Sequence, residues 1–193
     1  MAMTTHTDQK KYLFRLIRQD DLEWARVLHN DPDVLSMLKD PHEVTPDMQK
    51  AWYQLLRTSH TSKRVVVECN GERIGLIRLD DIDIQNHAIA VGLDIHRDHR
   101  GKGHATPLYA VILDYCFKAC DMHRCWLDVA AYNTIARHVY GKLGFKEEGR
   151  ARERIYRFNA YHDYILMGML KHEYLNSSLL RDSIQHISYS INL

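Results

Sequence analysis

The chain has 193 residues, enough for one ordinary domain with a real hydrophobic core and too few for a comfortable second one. Its 26 lysines and arginines nearly cancel its 25 aspartates and glutamates, so no global field points to a nucleic acid or an anionic membrane as the main partner. No apolar run reaches the ~18 residues of a membrane span, and the polar opening MAMTTHTDQKKY lacks the apolar centre of a signal peptide, which makes the cytoplasm the expected location.

Cys69, Cys116, Cys120 and Cys125 form no C-x-x-C pair and read as reduced thiols. His96, His99 and His104 lie close together without an acidic or thiol partner at a familiar ligand spacing, so no metal site is expected.

In chain order, Tyr12 to Ile17 reads as a first strand, and Asp20-Asp21 caps a helical segment from Leu22 to His29 that Asn30-Asp31-Pro32-Asp33 breaks. Thr45-Pro46 is a helix start, with threonine as cap and proline in the first turn; Met48, Ala51, Trp52 and Leu55 then share one face of a helix ending near Ser59. Arg64 to Cys69 and Ile74 to Leu79 are apolar, β-branched runs flanking Asn70-Gly71, a hairpin signal. Asp80 to Asn86 reads as a turn and Ala88 to Ile95 as the third strand of the meander.

Ala105 to Ala119 carries an apolar face through Leu108, Ile112, Tyr115 and Ala119, as a core-packed helix does. A strand from Cys125 to Ala130, a helix from Thr134 to Leu143 closed by Gly144, and strands from Phe145 to Arg152 and Tyr161 to Leu170 complete a mixed α/β sheet. Residues 1–170 thus form one expected domain. Lys171 to Leu193 shows no period beyond an apolar patch at Leu179-Leu180 and is expected to be partly helical or disordered.

The chemistry concentrates between Leu93 and Ala105, where a strand runs into a glycine-punctuated turn and then a helix. A helix entered this way presents unpaired N–H groups and a partial positive charge, which suits an anion. Gly101 and Gly103 let the backbone approach a phosphate, and Arg100 and Lys102 add charge beside it. A tight chain reversal needs the same glycines, and the stretch is neither a P-loop nor a full dinucleotide fingerprint. Downstream, Leu127-Asp128-Val129 is followed by Asn133, Ala136, Tyr140 and Leu143-Gly144-Phe145.

Together these two elements resemble the GNAT superfamily of acetyl-CoA-dependent N-acetyltransferases over roughly residues 64–170. The resemblance implies a central, mostly antiparallel sheet with splayed strands, flanked by helices. It also implies acetyl-CoA as co-substrate, its pyrophosphate gripped from Asp98 to Gly103 and on to His104 and Ala105, although Asp98 stands where the family usually has Gln or Arg. By the same likeness Leu93, Asp94 and Ile95 pair their backbone with the pantetheine arm, and Asn133, with Ala136 on the same helix, holds it from the far side. Tyr140 becomes the proton donor to the leaving thiolate. Alone, Asn133 is an ordinary helix cap and Tyr140 a core-facing phenol.

The segments VVVECNGERIGL (65–76), DYCF (114–117), YGKLGFKEEG (140–149) and YHDYILM (161–167) are similar to the RimJ/RimL-like branch, particularly its spermidine and amino-sugar N-acetyltransferases, which commonly form dimers or larger rings. A small-molecule amine is therefore the expected acceptor, with a protein α-amine, or acyl-CoA binding without turnover, as alternatives. Deprotonation at pH 7 costs about 4.6 kcal/mol for a lysine-like nitrogen and about 1.1 kcal/mol for an α-amine. Ala90 occupies the position where the branch often carries a basic glutamate, which leaves Asp94 and Asp128 as candidate bases. Asp80, Asp81 and Asp83 with Asp31 and Asp33 suit a polycation if the fold gathers them; Arg150, Arg152 and Arg154 suit a phosphorylated acceptor if they share a strand face; both sets also read as solvated surface. Trp52 and Tyr53 are placed over the acceptor cleft by analogy.

Overall fold

The computed structural model describes residues 10–185 and 187–193; the polar opening segment 1–9 and His186 lie outside them. Eight strands form one sheet in the order β6-β7-β5-β4-β3-β2-β1-β8. They are β1 (Lys11–Leu16), β2 (Lys63–Cys69), β3 (Glu72–Asp83), β4 (Ala88–Ile95), β5 (Arg124–Ala130), β6 (Lys146–Arg157), β7 (Ala160–Leu170) and β8 (Ser188–Asn192). Neighbours run antiparallel except for the β4–β5 and β1–β8 pairs.

Local chemistry explains most of the element ends. Asn70 (φ 52°) and Gly71 (φ 85°) both take the left-handed conformation that a two-residue β2–β3 hairpin needs. Helix α3 (Pro46–Thr58) starts where the Thr45 hydroxyl accepts the Met48 amide, and helix α5 (Thr134–Leu143) starts where the Asn133 side chain accepts the Ala136 amide. Gly144, at φ 100°, ends α5 in the left-handed form, and its amide and that of Phe145 both reach the Tyr140 carbonyl.

Several expectations change. Asp21 precedes α1 (Leu22–His29) without capping it by its side chain, because that carboxylate pairs with Arg15 and accepts the Arg18 amide. The Asn30–Asp33 break contains a short helix, α2 (Pro32–Leu35), whose cap is the Asp31 carboxylate accepting the Asp33 amide. On α3 the inward side is Gln49, Trp52, Tyr53 and Leu56, whereas Leu55 is 72 % exposed. Strand β3 runs on through Asp83 across a bulge at Asp80 to Asp83, so the turn itself is shorter than expected.

Helix α4 (Ala105–Asp114) widens over Tyr115–Ala119, where the Cys120 amide reaches back to the Tyr115 carbonyl. Leu108 to Leu113 are all buried, more than one face can supply. The chain end covers the rest: α6 (Lys171–Asn176) and α7 (Ser178–Gln185) bring Tyr174 and Leu180 into the main core, and β8 adds a parallel edge strand beside β1. Tyr174 stacks on Phe117 with centroids 5.0 Å apart and hydrogen-bonds Asp114.

Register decides what the two faces of the sheet carry. One face holds Phe14, Val65, Ile77, Val91, Leu127 and Ile165 in the main core under α4 and α5. On the other, Arg64 stands opposite Arg78, Arg78 opposite Gly92, and Ala90 opposite both Asp80 and Trp126. Period two adds Asp94 and Asp128 to that face. Helices α1 to α3 cover one end of it with a second cluster built on Leu28, Val34, Val66 and Leu76. The rest is a polar floor.

Candidate active site

Strands β4 and β5 pair at only three positions, Ala88 with Arg124, Ile89 with Cys125 and Ala90 with Trp126. Past Ala90 they diverge, while β4 stays paired to β3 through Ile95 and β5 to β7 through Ala130. The β5-facing edge of Val91 to Ile95 is therefore left with backbone groups that no strand satisfies, an edge able to accept an extended amide-bearing chain. The gap opens into a cleft of about 450 Å³ lined by Leu93, Asp94, Ile95, Arg100, Ala105, Asn133, Ala136 and Tyr140, together with Tyr109 and parts of α2. Eight residues singled out in the sequence thus meet around one cavity.

Gly101, Lys102, Gly103 and His104 form the turn at its end, and Asp128 lines a neighbouring cavity. Gly101 (φ 71°) and Gly103 (φ 75°) take the left-handed conformation, and a Cβ on either would meet nothing within 4 Å. The glycines are needed for backbone shape, and the space beside them is open to a ligand. Among the described residues the amides of 101–106 find no backbone acceptor, the first in α4 to do so being Leu108, to His104. A row of free N–H groups at a helix start fits a diphosphate.

Two side chains there do something other than expected. Arg100 is held by the Ile95 carbonyl at 2.9 Å, Asp33 at 2.9 Å and Asp31 at 3.1 Å, so it fastens the turn to the start of α2 and its charge is already compensated. The His104 side chain points into the core, 2.8 Å from the Tyr12 hydroxyl. Burial, with help from Lys10, His99 and Lys102, pushes its pKa down to about 4, so it is a neutral anchor and only its backbone faces the turn. Lys102 keeps an exposed side chain.

At the inner end of the cleft Tyr140 and Tyr109 meet edge-on at 5.5 Å, the Tyr109 hydroxyl donating to the Tyr140 oxygen at 3.3 Å. Burial raises the Tyr140 pKa, and the Tyr109 bond and the Arg78 charge pull against that rise. The phenol is thus protonated throughout the physiological range. Asn133 spends its carbonyl oxygen on the α5 cap and still lines the cleft, so cap and lining role coexist.

Asp94 links this cleft to a second cavity of about 290 Å³ on the polar face of the sheet, lined by Asp94, Arg78, Arg64, His29, His42 and Trp52 among others. Trp52 therefore roofs that space, whereas Tyr53 lines a separate groove with Leu56 and Arg57. A neighbouring cavity of about 230 Å³ is lined by Ala90, Asp80, Asp81, Lys39 and Asp128, with Arg78 as the shared wall. The aspartates read as a polycation site are gathered only in part: Asp80 and Asp81 share the wall of this neighbouring cavity, with Asp80 also paired to Arg64 at 2.7 Å, while Asp31 and Asp33 hold Arg100 and Asp83 bonds Asn86. The arginines of β6 do not form an unbroken row, although Arg150 and Arg152 both lie beside Asp163. Glu153 takes φ 50°, the pairing shifts between Ala151 and Ile155, and Arg150 is tied to Asp163 and Glu147.

Sequence reading missed Arg78, Gly92 and Tyr109. Arg78 did leave a signal, a lone charge inside the apolar run Ile74 to Leu79. Tyr109 looked like any other residue of an apolar helix.

A sheet whose parallel strand pair splays open beside a glycine-relieved helix start is the fold of the acetyl-CoA-dependent acyltransferases. The family model described as "Acetyltransferase (GNAT) domain" matches residues 11–146, and the chain belongs to this family of N-acetyltransferases, which use acetyl-CoA as co-substrate. It is 29 % identical over 165 residues to spermidine N(1)-acetyltransferase of Vibrio cholerae, covering 85 % of this chain and 95 % of that one. The crystal structure of spermidine N-acetyltransferase from Vibrio cholerae in complex with CoA and spermine superposes with a TM-score of 0.81 at 30 % identity, over 86 % of this chain and 98 % of the other. A dodecameric structure of the Vibrio cholerae enzyme in an intermediate state gives 0.76 at 29 % identity, over 86 % and 98 %. No helix among the described residues is long and apolar enough to cross a membrane.

Proposed function

We propose that this chain transfers the acetyl group of acetyl-CoA directly to the primary amine of a small molecule, with residues 93–95, 101–105, 133, 136 and 140 holding the co-substrate. The observation that carries the reading is the convergence, on one cleft, of the free edge of β4, Asn133 and the Tyr140 phenol. In this arrangement the amides of 101–105 take the diphosphate, and the open backbone of Leu93 to Ile95 pairs with the pantetheine amides. Tyr140 protonates the departing thiolate.

Of the two candidate bases, Asp94 lines both the co-substrate cleft and the cavity that receives the amine, and Asp128 lines only the neighbouring one. Asp94 is accordingly assigned the amine proton. The bare side chain at Ala90 leaves room for a water between base and amine.

The spermidine-named relatives favour a small molecule over a protein chain end as acceptor, and a cytoplasmic location follows from the co-substrate. The dodecameric relative makes a ring assembly of this chain a reasonable state in solution. Amino sugars and polyamines differ in the charge around their amine, and the polar floor of the sheet is the surface that would discriminate between them.

Steady-state acetylation with Tyr140→Phe is the direct test. Loss of the acid should lower kcat about 10²- to 10⁴-fold while leaving the KM for acetyl-CoA within a few-fold of its original value. An unaltered kcat across a panel of amines would remove Tyr140 from this role.

A further inference from the structure

Among the described residues, the polar floor contains one cation whose environment is not closed. Arg78 rises from the middle of β3, opposite Gly92, and a Cβ on Gly92 would come within 2.9 Å of its Nη2 and 3.0 Å of its Nε. The guanidinium thus lies flat across a bare glycine, a seat that any other residue at 92 would fill. Its nearest anion is Asp94, whose Oδ2 is 3.4 Å from Nε, and the buried Nε has no hydrogen-bond partner among the described residues. The contrast is Arg64, which is satisfied by Asp80 at 2.7 Å and by the Lys63 carbonyl at 3.0 Å.

A planar, always-charged fork with unused donors facing a cavity is suited to a carboxylate or a phosphate. The Nη groups of Arg78 make no hydrogen bond among the described residues and, unlike the closed-off Nε, are the donors a ligand oxygen would meet. Of the two guanidiniums lining the cavity beside the co-substrate cleft, Arg64 is neutralised by Asp80, so Arg78, only loosely paired with Asp94, is the one with donors to spare. His29 adds no compensating negative charge, and burial holds its pKa below the usual imidazole value.

Resting on the transferase reading above, we infer that the acceptor carries an anionic group, a carboxylate or a phosphate, close to its reacting amine, and that Arg78 is the residue that recognises it. Asp94 faces the amine, and Arg78, 3.4 Å from Asp94, faces the anion; the two groups of the acceptor lie only a few bonds apart. A cationic acceptor would lie instead over Asp80, Asp81 and Asp128 in the neighbouring cavity, the competing arrangement the test must separate.

The test measures thiol release from acetyl-CoA with amines that differ by one anionic group: ethanolamine against serine and O-phosphoethanolamine, and glucosamine against glucosamine 6-phosphate, with spermidine as the polycation. The expected result is a kcat/KM at least tenfold higher for the anionic member of a set, and spermidine below it. The serine and phosphate arms distinguish carboxylate from phosphate. In Arg78→Gln the preference should fall to near unity with the KM for acetyl-CoA within about twofold of the original, and Arg78→Lys, which keeps charge but loses the fork, should retain part of it.

A wild-type preference for spermidine or for the neutral amines overturns the inference and leaves acetyl transfer standing. So does a preference for anions that survives Arg78→Gln. Coenzyme A binding with no thiol release against any amine overturns the transferase reading and this inference with it.

Discussion

Tyr140, the proposed acid, and Tyr109 show how much of a phenol's behaviour comes from its neighbours. A phenol ordinarily loses its proton near pH 10.0, and burial moves that of Tyr140 upward. The Tyr109 hydrogen bond moves it part of the way back, because a donor stabilises the phenolate. As an acid Tyr140 works only while protonated, so activity is present below its pKa and fades as pH rises through it. Tyr109→Phe removes the stabilising donor and should shift the alkaline limb of kcat to higher pH while lowering kcat by less than tenfold; a pH–rate profile of the two proteins decides it. An alkaline limb displaced to lower pH would contradict the geometry. Tyr140 was singled out in the sequence through the resemblance to the acetyltransferase family, and it lines the cleft. Tyr109 was not, since a tyrosine in an apolar helix carries no mark of what it will meet across 31 residues of chain.

At the scale of elements, the site depends on a turn whose amides point outward. Gly101 and Gly103 sit at φ values where a side chain costs about 1–2 kcal/mol per residue even with open space around it. Gly103→Ala should lower the thermal midpoint by roughly 2–6 °C. It should also raise the Kd for coenzyme A about tenfold, the loss of one hydrogen bond to a charged oxygen. Calorimetric titration alongside thermal melts separates the two effects; a lowered midpoint with unchanged affinity would mean that the turn shapes the fold but does not hold the diphosphate. The boundaries of this turn, of β4 and of α5 were readable because caps, glycines and period-two alternation act locally. The face of α3 was misread for the opposite reason. Gln49 turns inward beneath α1 while Leu55 stays in solvent, an orientation set by what the helix packs on.

For the whole molecule, the chain end completes the core. Leu180 is fully buried and Tyr174 nearly so, both in the cluster that contains α4, so α4 is enclosed on one side by the sheet and on the other by α6 and α7. Leu180→Ala removes a buried side chain whose neighbours belong to a separate helix and should destabilise the protein by about 2–5 kcal/mol, measured by urea unfolding. A cost below about 0.5 kcal/mol would show that the end segment rests loosely on α4. The sequence offered little warning: Leu179-Leu180 looks like an isolated apolar pair, and only the complete burial of Leu108 to Leu113 shows that a second surface must cover the helix.

The sequence by itself determined the order of the strands from β1 to β7 and of the main helices between them, the hairpin at Asn70-Gly71 and the glycine turn before α4, because each rests on interactions within a few residues. Only the tertiary structure decided that β4 and β5 part after Ala90, that Arg100 and His104 are spent on holding the turn, and that Arg78 lies bare across Gly92 beside Asp94. Those outcomes depend on pairing register and on charges brought together from distant positions. Such contacts leave no periodic trace along the chain.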